Sequence, residues 1–138
     1  MVGWSLRIAA SLLLVAAVAA LLVNRLGGNA RQEEVYADNN ISIYLPDSSY
    51  VILNKGGRIT YDGFGNNRDV HLAGEALFIV RKDTNRPFRV ITNTIVATAL
   101  GTSFNVKSDG EDGSASVSLL SGKVEVTYVS GTKRNRTF

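Results

Sequence analysis

Polar and apolar residues follow two different rhythms along this chain. From Ile8 to Val23 the run IAASLLLVAAVAALLV contains no charge. After residue 40 the period drops to two. Ile41, Ile43 and Leu45 alternate with Ser42 and Tyr44, and Val70 and Leu72 flank His71. Ile59 and Tyr61 flank Thr60, while Val124, Val126 and Tyr128 alternate with Glu125 and Thr127. Such alternation marks strands with one buried face. Breakers fall between the runs at Pro46-Asp47, Gly56-Gly57, Gly63 to Asn67, Asp83 to Pro87 and Asp109 to Gly113. No helical period is present after residue 30. The pattern predicts an all-β domain of about eight short strands, a sandwich or a solenoid, preceded by one N-terminal transmembrane helix. The expected division is a membrane-spanning helix over 1–26, a polar juxtamembrane linker over 27–40, a β domain over 41–129 and a basic tail over 130–138.

Counted from Trp4, the apolar segment is interrupted only by Arg7, and a helix of about twenty residues spans roughly 30 Å, the depth of a hydrocarbon core. Arg7 can snorkel to the headgroups and Trp4 can sit at the interface. Gly27-Gly28 then ends the helix. The rival is a cleaved signal peptide with a small-residue site at Gly28-Asn29-Ala30. The apolar run exceeds the usual signal-peptide length and Arg25 lies just beyond it, which favours a retained anchor. Both readings export the β domain. Arg7 on one flank and Arg25 and Arg31 on the other leave the positive-inside bias weak. Ser5/Ala9 and Ala16/Ala20 place small residues at helix-packing spacing, so self-association belongs among the expectations.

Composition narrows the function classes. The formal charge is +3, but Lys133–Arg136 supplies three positive charges, and residues 31–132 hold ten Lys/Arg against twelve Asp/Glu. A nucleic-acid partner is not expected of so balanced a domain. Without cysteine there is no disulfide, thiolate nucleophile or Cys-based zinc site. The single histidine, His71, lies on the outward side of its strand, so no Ser-His-Asp arrangement is expected. Ser121-Gly122-Lys123 reads as a strand-to-strand turn. The acidic loop Asp109–Gly113 lacks EF-hand spacing. The only tryptophan is Trp4, which counts against a carbohydrate-binding face. No catalytic, metal or cofactor site is predicted.

Six blocks occur in order: LPDSSYVILN (45–54), RITYD (58–62), LAGEALFIV (72–80), RPFRV (86–90), LGTSFNV (100–106) and LLSGKVEV (119–126). Together they resemble the FecR family, membrane-bound regulators of extracytoplasmic sigma factors, over about residues 41 to 129. The family patterns are LPDGS-x-V-x-LN, a GEAYFEV-like strand, PF-x-V, LGT-x-FNV and G-x-V-x-V. Here Ser48 stands for the usual Gly, and Leu77 and Ile79 for Tyr and Glu. The resemblance implies a twisted β-solenoid-like stack, with a jelly-roll-like sandwich as alternative. It implies a single-pass protein of the bacterial inner membrane, N-terminus cytoplasmic and β domain periplasmic. The implied role is a signal-relay module of a FecR-type anti-sigma factor in cell-surface signalling for TonB-dependent uptake. Its implied partners are an extracytoplasmic-function sigma factor and the signalling domain of an outer-membrane TonB-dependent receptor. The sigma-holding region and the C-terminal domain usual in the family are expected to lie outside this sequence. The alternative from another class is an anchored β module that scaffolds an envelope complex.

Certain residues are singled out as structural: Gly74, Glu75, Phe78, Pro87, Phe88, Gly101, Thr102, Phe104 and Gly122. Glu75 precedes an apolar run, and its carboxylate is expected to accept backbone N–H bonds at a strand corner. Gly101 is expected to supply an unusual backbone angle and Thr102 a local hydrogen bond. Phe78, Phe88 and Phe104 are expected in the core. The terminal strand is expected to offer an edge that is open, or covered only by Val35–Leu45. Lys123, Glu125, Thr127 and Tyr128 on that strand are the candidate protein-contact residues.

Overall fold

The computed structural model describes residues 2–26, 31–108, 112–129 and 136–137. The chain divides into two units, Met1–Ala30 and Arg31–Phe138. The first is helix α1 (Val2–Leu26). Its Gly3–Arg25 span, 23 residues of mean hydropathy 2.5, is long and apolar enough to cross a membrane. Trp4, Leu6, Leu13, Leu14 and Val23 are all exposed around it. A helix apolar on every face needs an apolar surrounding. The expected break at Gly27-Gly28 lies outside the described residues.

The second unit is built of strands, as the alternation predicts, and the described residues form eleven: β1 (Glu33–Tyr36), β2 (Ile41–Tyr44), β3 (Tyr50–Leu53), β4 (Arg58–Tyr61), β5 (Arg68–Ile79), β6 (Phe88–Ile91), β7 (Ile95–Ala99), β8 (Ser103–Ser108), β9 (Ala115–Ser121), β10 (Val124–Tyr128) and β11 (Arg136–Thr137). One sheet runs β1-β4-β5-β6-β7-β10-β11, and the other runs β2-β3-β5-β8-β9. Pairing is antiparallel except between β5 and β6. The stretch 27–40, polar and irregular by sequence, contains β1, which pairs with β4.

Strand β5 belongs to both sheets. Arg68–Ala73 pairs with β4 and β6, whereas Gly74–Ile79 pairs with β3 and β8. The change of sheet falls at Gly74, whose φ is +101°. A Cβ there would stand 2.9 Å from Gly57 Cα. Only glycine tolerates both the angle and the approach.

The two inner faces enclose one core. Val51, Leu53, Ala76, Phe78, Phe104 and Val106 come from one sheet; Ile59, Val70, Phe88, Val90, Ala97 and Val124 come from the other. An aromatic chain crosses between them. Phe104 stacks on Phe78 at 5.6 Å, Phe78 meets Phe88 at 5.9 Å, and Phe64 meets Phe88 edge-on at 6.0 Å. Phe78, Phe88, Phe104 and Val106 are wholly buried.

The turn Leu45–Ser49 explains one departure from the family pattern. Ser48 N–H donates to Leu45 O at 2.9 Å, and Ser48 takes a φ of +67°. A side chain in the left-handed region costs about 1–2 kcal/mol, while glycine costs about 0.4–1 kcal/mol in unfolded-chain entropy. Ser48→Gly should therefore stabilise the domain by about 0.5–1 kcal/mol. The urea midpoint checks this, and a lower midpoint in the variant would contradict it.

Candidate functional site

The ends of the sequence blocks meet at one end of the β domain. Val80 N–H donates to Thr102 O and Asp83 N–H to Leu100 O, both at 2.9 Å. Arg81 N–H donates to Ser49 Oγ at 2.9 Å, and Thr102 Oγ1 donates to Lys123 O at 2.9 Å. LPDSS, the end of GEALFIV, LGT and SGK are thus tied together at this end.

Arg68 is the centre of this end, and its side chain is fully buried. Nε donates to Arg86 O at 2.7 Å. One terminal nitrogen donates to Asp47 Oδ2 and Arg81 O, each at 2.8 Å. The other donates to Asp83 O and Leu100 O, each at 3.3 Å. All five guanidinium N–H groups are thereby used. The guanidinium also lies 5.5 Å from the Phe88 ring centroid. Asp47 is equally engaged, since it accepts from Ser49 N–H at 2.9 Å and Ser49 Oγ at 2.7 Å. Neither residue stood among the candidates from sequence. The signal was nonetheless there: Arg68 has the same strand parity as Val70 and Leu72, the inward one.

A second arginine fixes the adjoining loop 81–87. Arg86 Nε donates to Asp83 Oδ2 at 2.8 Å, and its terminal nitrogen reaches Phe64 O and Gly65 O at 3.2 Å. The Arg86 hydrogen bond holds the Asp83 carboxyl below its ordinary range.

Beside this loop lies a cleft of about 440 Å³, bordered by Lys82, Pro87, Leu100, Gly101, Lys123 and Glu125. It brings together Pro87, Gly101, Thr102, Lys123 and Glu125 from the sequence candidates, and adds Lys82. Thr127 is half-buried and Tyr128 half-exposed; both lie further along β10 and outside the cleft. Gly74, Glu75, Phe78 and Phe104 also lie away from it.

Several expectations are corrected. Gly101 adopts no left-handed angle; a Cβ there would stand 2.7 Å from Lys82 Cα, so glycine is needed for close approach. The Thr102 hydroxyl bond is long-range, joining the start of β8 to the start of β10. Glu75 accepts from the Asn105 side-chain amide at 2.8 Å, because β5 and β8 are adjacent on that face. The strand-to-strand turn read at Ser121-Gly122-Lys123 joins β9 to β10, which lie in different sheets, with Gly122 at φ +86°. The β10 edge is neither open nor covered by Val35–Leu45. It pairs with β11, Glu125 opposite Thr137 and Val126 opposite Arg136, while β1 and β2 pair with β4 and β3.

His71 is exposed, with Thr60 and Ile91 as its cross-strand neighbours. Of the acidic loop, residues 109–111 lie outside the described residues. Asp112 Oδ1 accepts from Ser114 N–H at 2.8 Å, closing its own turn, and these bonds lower its pKa. Among the described residues no group of three or more His, Cys, Asp or Glu could hold a metal ion.

The β domain matches a known family. The FecR family, described as FecR protein, matches residues 32–125. That is more than half of the chain, and the chain belongs to the FecR family. Two crystal structures of a putative anti-sigma factor from Parabacteroides distasonis are similar at 34% identity and a TM-score of 0.70. One comparison covers 78% of this chain and 51% of that chain, the other 77% and 50%. This chain therefore spans about half the length of those solved structures. No curated protein matches.

Proposed function

We propose that this protein is a membrane-anchored FecR-type regulator of an extracytoplasmic-function sigma factor. In this reading α1 is a retained single-pass anchor in the inner membrane, the N-terminus is cytoplasmic and the β domain is periplasmic. The domain relays the state of an outer-membrane TonB-dependent receptor through protein contact and performs no chemistry of its own. The observation that carries the reading is the FecR match over 32–125, on a domain preceded by a 23-residue apolar span. The anti-sigma description of the solved relatives supports the same class. The contact surface is the β10 side, with Lys123, Glu125, Thr127 and Tyr128. These residues lie on or beside β10, and Lys123 and Glu125 line the cleft at its start.

Two measurements test this together. Alkaline phosphatase fused after Phe138 should be active, with the product in the membrane at full length. A sigma-dependent reporter should lose its response to receptor stimulation when residues 31–129 are deleted. A soluble product beginning near Arg31 would overturn the anchor. An unchanged reporter would overturn the regulatory role and favour an anchored assembly module.

A further inference from the structure

Charge is unevenly spread over the β domain. Residues 31–132 carry two more acidic than basic side chains. At the motif-bearing end the balance is reversed. Arg68 and Arg86 are matched by Asp47 and Asp83. Arg81, Lys82 and Lys123, all exposed, have no ion-pair partner among the described residues; the acidic groups beside them are Glu125 and the already paired Asp47 and Asp83. Lys82, from the 81–87 loop, and Lys123, from the start of β10, both line the cleft. Pro87, Ala99 and Leu100 line it as well, and Leu100 is 45% exposed.

An apolar lining shared with two ammonium groups that have no ion-pair partner among the described residues fits a ligand that carries both aliphatic and carboxylate groups. The cleft is lined by Lys123 and Glu125 at the start of β10, the side proposed above for protein contact, so the ligand of this chemistry is taken as a peptide segment. We infer that this cleft binds an acidic, extended peptide segment of a partner protein. Its carboxylates meet Lys82 and Lys123, and an aliphatic side chain seats against Pro87 and Leu100. Attraction of this kind steers the encounter and selects among partners. The inference rests on the reading that the domain works through protein contact, and it specifies the chemistry of that contact.

The test uses the full chain in detergent micelles and a fluorescein-labelled ten-residue peptide of alternating Glu and Val. The comparison peptide has Gln for every Glu. The Glu peptide should bind about tenfold more tightly than the Gln peptide at low salt, an advantage that shrinks as salt rises. Lys82→Glu with Lys123→Glu should remove that preference. Arg58→Glu, on β4 in the exposed pair with Glu34, should leave it unchanged. Both lysines are exposed, so the double variant should melt as wild type does; Lys82→Ala with Lys123→Ala serves if it does not. Equal binding of the two peptides, or a preference that survives the lysine changes, overturns the inference. Neither result touches the phosphatase fusion or the reporter, so failure of the cleft is distinguishable from failure of the regulatory role.

Discussion

Arg68→Ala is expected to cost the β domain about 3–5 kcal/mol, because it leaves Asp47 as a buried charge without its partner and strips four carbonyls of a donor. A domain of this size has only about 5–15 kcal/mol in total, and each kcal/mol moves the melting temperature by about 4–8 °C. The 31–138 fragment, a compact unit with its own core, should therefore melt at least about 12 °C lower or be unfolded at room temperature. Arg68→Lys should not rescue it, since an ammonium offers three donors and no planar fork where five N–H groups are used. Asp47→Asn should cost less, because it keeps the turn and four of the five guanidinium bonds. Thermal unfolding by circular dichroism reads all three. A shift of only a degree or two in Arg68→Ala would mean that this end is not organised around the guanidinium.

Phe104→Ala is the second large effect, expected at about 3–5 kcal/mol from lost burial and the cavity left behind. Phe104 is fully buried and stacks on Phe78, the pair through which β8 and β5 face the opposite sheet. Strands pair on both sides of it, so the backbone has little freedom to collapse into the void. Phe104→Leu should lose much less because most of the volume is kept. The two variants separate packing from any peculiarity of the aromatic ring. An unchanged denaturant midpoint in Phe104→Ala would contradict the inward orientation of β8.

The two perturbations reach the candidate contact surface differently. Arg68 holds the carbonyls of Arg81, Asp83 and Leu100, which frame Lys82 and the cleft. Phe104 supports the same region only through the core. The guanidinium cross-links the loops that frame the cleft.

By itself the sequence determined the class of fold, the apolar helix and most of the strands. Period-two alternation reports which side chains leave water, and burial of those side chains is what drives the sheets together. It was less legible where that signal is weak. In β7 the inward residues are Ile95, Ala97 and Ala99, and the small alanines blur the alternation. In β1 the strand exists because β4 lends it a partner, while three of its four residues remain exposed. Tertiary structure alone decided the site. That Gly74 carries β5 from one sheet to the other, and that Gly101 is needed for the Lys82 backbone, depends on atoms distant in the chain. So does the gathering of Lys82 and Lys123 into the lining of one cleft. The alternation did place Arg68 on the inward face, but a charge is tolerable there only if partners surround it. Those partners come from residues 47, 81, 83, 86 and 100, which fold closure alone brings within hydrogen-bonding distance.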